Sequence, residues 1–115
     1  MIRFASLGSG SEGNCLLVVV DSTRILADCG FSLSETVSRL ARYGIAPETI
    51  AAILITHEHD DHIGSAAHFS RKFGVPLWLT YGTMQAAGSL FDGVSNVEIF
   101  DCSQPLSIGA LSIEP

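Results

Sequence analysis

Residues 56–62 read Thr-His-Glu-His-Asp-Asp-His, THEHDDH, directly after the apolar run Ala51–Ile55, AAILI. Three of the chain's four histidines and three of its twelve acidic residues fall within the six positions His57–His62. An apolar run of strand length that stops at such a cluster predicts a buried strand whose end carries ionisable groups. In extended backbone, side chains two apart share a face, so His57 and His59 can converge on one point. Asp61 and His62 diverge while the chain stays extended. Once it curls into the first turn of a helix, they face a second point nearby. One short loop can thereby hold two adjacent cations, each with two protein ligands. Imidazole nitrogen and carboxylate oxygen are donors that zinc accepts, and manganese or iron(II) accept them too. Anchoring them at the end of a buried strand lowers the entropy cost of assembling the site.

The competing explanation is a solvated acidic turn. From this composition, H-x-H-x-D-H arises by chance about once in four thousand such chains, and a solvated turn has no reason to favour histidine over lysine or serine. A zincin helix requires H-E-x-x-H, but position 61 is aspartate. A zinc finger requires paired cysteines, and none are nearby. His68 falls within the helix expected after the cluster and is read as a surface or packing residue.

Working outward, Ile2–Leu7 reads as a short strand that stops at the polar, glycine-rich Gly8–Asn14, GSGSEGN. Cys15–Val20 is an unbroken apolar run rich in valine, Asp21–Arg24 supplies turn residues, and Ile25–Asp28 resumes as a strand; together they predict a hairpin. Ser32 and Glu35 have the spacing of a capping box. Leu33, Val37, Leu40 and Ala41 follow at helical spacing, with Gly44 as the stop. A second helix is expected with Ile63, Ala66, Ala67 and Phe73 on one face and Gly74 at its end. Further strands are expected at Val75–Thr80, 97–100 and 106–113, the last divided at Gly109, with a short helix over 83–88. Strands first, then strand and helix in alternation, argue for a mixed α/β (α+β) sheet with helices on at least one face.

The chain has 115 residues, enough for one domain, with 47% hydrophobic and 16% charged side chains, as in a folded core-bearing protein. Six basic against twelve acidic residues leave a net charge of −6, which disfavours unspecific attachment to phosphate backbones or anionic membranes. Cys15, Cys29 and Cys102 match no C-x-x-C spacing and read as small buried apolar residues in a reducing compartment. The N-terminus lacks the apolar core of a signal peptide, and the longest aliphatic stretch is too short to span a bilayer. A soluble cytoplasmic protein without a membrane partner is the expectation.

The strand, THEHDDH, and a helix opening with Ile63 and Gly64 together resemble the metallo-β-lactamase fold, whose signature is H-x-H-x-D-H. Ser6–Cys15, SLGSGSEGNC, followed by Ile25–Gly30, ILADCG, resembles the YycJ/WalJ group of that superfamily. The resemblance implies that His57 and His59 bind a first metal and Asp61 and His62 a second. It also implies that Asp28, at the end of its strand, orients a ligand histidine; a simple turn cap before Gly30 is the alternative. Flavodiiron relatives carry glutamate where His59 stands, so the histidine favours a hydrolase. The family completes its site with a further histidine, a bridging aspartate and a last histidine. No histidine follows His68 here, and neither Asp92 nor Asp101 is assigned as the bridge. The chain is therefore expected to be the N-terminal half of an αβ/βα sandwich, one domain over 1–115 that is cut after Pro115, with the remaining ligands beyond it.

Two divalent cations, zinc foremost, that share a water bring its pKa to about 7 and supply a bridging hydroxide at neutral pH. Asp61 is the candidate to hold that water or move its proton. The resemblance implies phosphodiester hydrolysis by a DNA exonuclease. Gly8–Asn14 is placed to present backbone N–H groups and the Ser9, Ser11 and Asn14 side chains to a phosphate, with a plain hairpin loop as the alternative. Two other functions stay open: a thioester or other acyl hydrolase on the same metals, and a catalytically incomplete metal-binding half. A sheet face left bare by an absent half predicts self-association.

Overall fold

The computed structural model describes residues 2–8, 15–55, 60–94, 96–101 and 103–113. β1 (Ile2–Gly8), β2 (Cys15–Val20) and β3 (Thr23–Ala27) form an antiparallel meander. β4 (Ala52–Leu54), β5 (Leu77–Thr80) and β6 (Val97–Phe100) then add in parallel, giving one six-stranded sheet in sequence order. Each parallel step needs a crossover. α1 (Leu33–Ala41), α2 (Asp60–Phe73) and α3 (Tyr81–Ala87) supply them in turn. Right-handed crossovers between strands added one after another put the helices on a single face. The expected mixed sheet with helices on one face is what forms.

The run Cys15–Val20 is apolar throughout because both of its faces are covered. Cys15, Leu17 and Val19 enter the core on the helix side, with Leu26, Ile53, Leu77, Leu79 and the α2 residues Ala66, Ala67 and Phe69. Val18, Ile25 and Ala52 pack on the other side against Leu106, Ile108 and Leu111, with Leu16, Val20 and Trp78 at the margin. Those last three core residues belong to a hairpin of β7 (Leu106–Ile108) and β8 (Leu111–Ile113), which turns at Gly109 as expected. The sheet face expected to be bare thus carries this hairpin over its centre. Among the described residues, the β1 margin keeps large apolar groups in solvent on that side, with Ile2 55% and Phe4 66% exposed.

The helix ends follow local chemistry. Ser32 Oγ accepts from the Glu35 N–H at 3.3 Å, which is one half of the expected capping box. The Glu35 carboxylate is instead engaged by Arg39 Nε at 2.7 Å, one turn further on. Gly44 (φ 70°) and Gly74 (φ 68°) take the left-handed backbone that terminates α1 and α2. Phe69, left out of the α2 face predicted from sequence, is wholly buried there, three residues from Ala66. α3 starts earlier than expected, at Tyr81, because Thr80 Oγ1 accepts from the Thr83 N–H at 3.3 Å and caps the helix directly after β5. β4 is shorter than the apolar run that announces it, yet its ladder continues: the Ile55 N–H donates to the Trp78 carbonyl at 2.9 Å.

Candidate functional site

Strand register decides which loops meet. Ser6 pairs with Leu16, Leu16 with Ala27, Ala27 with Leu54, Leu54 with Trp78 and Trp78 with Glu98. This row crosses the whole sheet close to the carboxyl ends of β1, β3, β4 and β5. The connections that leave those strands therefore emerge along one edge of the sheet, about 4.8 Å apart between adjacent strands and about twice that between β1 and β3. They are the segment after Gly8, Asp28 after β3, the segment from Ile55 to Asp60, and Tyr81 after β5. Open α/β sheets bind ligands at this carboxyl edge, where loops and helix N-termini converge.

Asp28 has φ 60°, a left-handed conformation that aspartate tolerates because its short side chain can bond locally. Its N–H donates to the Leu54 carbonyl at 2.8 Å, which ties it to the strand that feeds the histidine segment. α2 begins at Asp60, so Asp61 and His62 stand in its first turn, the curl that the ligand argument required. His57 and His59 lie outside the described residues, as do Ser9, Ser11 and Asn14 and the side chains of Asp61 and His62. Among the described residues, no group of three or more His, Cys, Asp or Glu could hold a metal ion. The described residues put Ile55 at the end of the buried strand β4, Asp28 at the end of the neighbouring β3, and the start of α2 at Asp60.

Arg39 was not singled out from the sequence. Its guanidinium stacks 4.1 Å from the Phe31 ring centroid, pairs with Glu35 and donates to the Leu7 carbonyl. This clamp holds the end of β1, where the segment carrying Ser9 and Ser11 departs. A Cβ on Gly8 would meet Phe31 and Arg39 closer than real Cβ atoms approach, so glycine is the residue that lets the clamp close. The Glu35–Arg39 spacing of four residues was the available sequence signal.

Cys15 and Cys29 are free and buried, as expected, and Cys29 Sγ lies 3.7 Å from Thr36 Oγ1. A hydrogen bond with Cys29, together with burial, pushes the Cys15 thiol up, so it stays protonated at neutral pH and acts as a packing group. Cys102 lies outside the described residues. His68 is exposed on α2, and Asp92 and Asp101 occupy exposed loop positions, as read from the sequence. No helix among the described residues is long and apolar enough to cross a membrane.

Comparison with known proteins agrees with this arrangement. The sequence model of the metallo-beta-lactamase superfamily matches residues 8–99. The chain is 35% identical over 116 residues to a protein of Streptococcus pneumoniae named exodeoxyribonuclease WalJ, covering 97% of this chain and 43% of that one. It is 30% identical over 115 residues to exodeoxyribonuclease YycJ of Bacillus anthracis, covering 98% and 44%. The chain thus spans somewhat under half the length of these two relatives. Among solved structures, the metallo-beta-lactamase fold protein YhfI of Bacillus subtilis superposes with a TM-score of 0.75 at 20% identity, covering 97% of this chain and 51% of that one. With the family pattern running from the end of β1 into β6 and the same fold in a solved relative, the chain belongs to the metallo-beta-lactamase superfamily.

Proposed function

We propose that the protein is a metal-dependent phosphodiesterase that degrades DNA from an end, with His57 and His59 holding one cation and Asp61 and His62 a second. One observation carries this reading: the first turn of α2 follows β4 at the carboxyl edge of the sheet, beside Asp28. The likeness to two proteins named exodeoxyribonucleases supports DNA as the substrate. Zinc is the first candidate metal, with manganese and iron(II) next. When bound, the cations acidify water toward a pKa of about 7 and offset negative charge on the phosphate.

The chain's own residues have distinct tasks in this reading. His57 and His59 offer neutral ring nitrogens, and Asp61 and His62 complete the ligand set from the helix. Asp61 also takes the proton of the attacking water. Asp28 orients a ligand histidine by accepting its second ring N–H. Ser9, Ser11 and Asn14 bind phosphate from the segment that the Arg39 clamp anchors. Buried free Cys15 and Cys29 support a reducing compartment such as the cytoplasm.

With zinc or manganese, the full-length protein, which supplies the remaining ligands, is expected to turn over bis(p-nitrophenyl) phosphate. It should also shorten an end-labelled linear DNA while sparing a covalently closed circle of the same sequence. Hydrolysis of a glutathione thioester with neither phosphodiester activity would replace this reading with an acyl hydrolase on the same ligands. Asp28→Asn keeps a residue that accepts the left-handed backbone and removes the charge. Metal affinity should fall about 10- to 100-fold, the usual effect of losing a partner behind a ligand histidine. Titration against a chromogenic chelator reads this directly, and an unchanged affinity would strip Asp28 of its orienting role.

A further inference from the structure

A cavity of about 480 Å³ opens at the carboxyl ends of β5 and β6, lined by Thr80, Tyr81, Gly82, Ile99, Phe100 and Asp101. It adjoins the candidate site by register. Leu54 of β4 pairs with Trp78, and Thr80 of β5 pairs with Phe100, so the cavity lies at the same edge of the sheet as Ile55, one strand over from the end of β4.

The lining has an unusual makeup for a surface beside a phosphodiester site. Tyr81 is 64% exposed, and its phenol oxygen accepts from Gln85 Nε2 at 3.1 Å, which ties the ring to α3. Ile99 and Phe100 form an apolar wall. Among the described residues that line the cavity, Asp101 carries the one charged side chain. Its Oδ1 accepts from the Ser103 N–H and hydroxyl, both at 2.8 Å. Those two bonds hold its carboxyl below the usual carboxylate range, so it is ionised at neutral pH. Both bonds fall on Oδ1, and a carboxylate has acceptor sites on each oxygen.

An anionic rim repels phosphate. An exposed aromatic face attracts flat rings of any sequence, and a carboxylate accepts from exocyclic amines. Resting on the phosphodiesterase reading, we propose that the cavity between Tyr81 and Asp101 seats the nucleobase of the nucleotide under attack. Tyr81 is the stacking platform, and Asp101 is the acceptor for an amino group of cytosine, adenine or guanine. An acid next to DNA then has a use: it keeps the phosphodiester at the histidine edge and draws the base alone into the cavity.

Binding of fluorescent phosphorothioate pentamers, which resist cleavage, tests this by anisotropy. Wild-type protein should bind an oligo-dC pentamer about tenfold more tightly than an abasic pentamer with the same phosphates. Tyr81→Ala should bring that ratio close to one, and Tyr81→Phe should keep it. Asp101→Asn should abolish a preference for oligo-dC over oligo-dT. The ratios are taken within each variant, so partial unfolding, which lowers both affinities, does not mimic the effect. Equal binding of oligo-dC and abasic pentamers by the wild type, or an unchanged ratio in Tyr81→Ala, would overturn the proposal. Either result leaves the phosphodiesterase reading intact if bis(p-nitrophenyl) phosphate is still turned over. Base-dependent binding lost in Tyr81→Ala, without any phosphodiester turnover in the wild type, would support the cavity and sink the reading.

Discussion

Replacing His59 with alanine is expected to lower turnover of bis(p-nitrophenyl) phosphate by more than about a hundredfold, the upper range for losing a mere supporting partner of a metal ligand. The proposed site has two ligands per cation from this loop, so one imidazole is half of what the loop offers its cation. Without it, water near the site reverts toward its bulk acidity, and neutral pH no longer supplies an attacking base. The fold should hardly respond. The segment between Ile55 and Asp60 is Thr-His-Glu-His and carries no aliphatic or aromatic core side chain. A thermal melt within about 1 kcal/mol of the wild type is expected, since substitutions away from core, cap and network positions change little. Metal content by mass spectrometry should drop alongside the rate. Wild-type turnover in this variant would remove His59 from the ligand set.

Phe69→Ala should destabilise the protein by about 3–5 kcal/mol, the range for deleting a fully buried phenyl ring. Phe69 is 0% exposed on α2 and stands 4.9 Å, ring to ring, from Phe73 at an interplanar angle of 56°. Both rings pack into the core that joins α2 to the helix side of the sheet. Small domains have about 5–15 kcal/mol in total, so this one deletion removes a large share. The same helix carries Asp61 and His62 in its first turn. Looser docking of α2 should therefore weaken metal binding as well, although Phe69 lies two turns from the proposed ligands. Urea denaturation reads the first effect and chelator competition the second. A loss under about 1 kcal/mol would mean that the helix docks through other contacts than those described here.

The elements that sequence reading located share one property: their causes are local. Ser32 caps α1 through an N–H three residues away. Gly74 ends α2 by donating to the Ser70 carbonyl at 2.8 Å. The alternation of Cys15–Val20 between two cores needs only the two-residue repeat of a strand. The THEHDDH segment belongs to the same class, because ligand spacing along one loop is written in consecutive residues. That was enough to identify the family, the sheet type and the proposed ligands. Where the local reading slipped, a second local contact had won. Glu35 pairs with Arg39 one turn ahead and leaves the capping box half made.

Everything that joins segments far apart in the chain waited for the tertiary structure. Parallel pairing of Ala27 with Leu54 brings Asp28 to the strand that feeds the histidines. Arg39 reaches the Leu7 carbonyl across 32 positions. Tyr81 and Asp101 face one cavity because Thr80 pairs with Phe100. The β7–β8 hairpin covers the centre of a sheet face that was expected to be left bare by an absent half. Periodicity states which side of a strand is apolar but not which strand lies beside it. Neighbour and register are chosen by the packing of complete faces, a property of the assembled core and of no single stretch of residues.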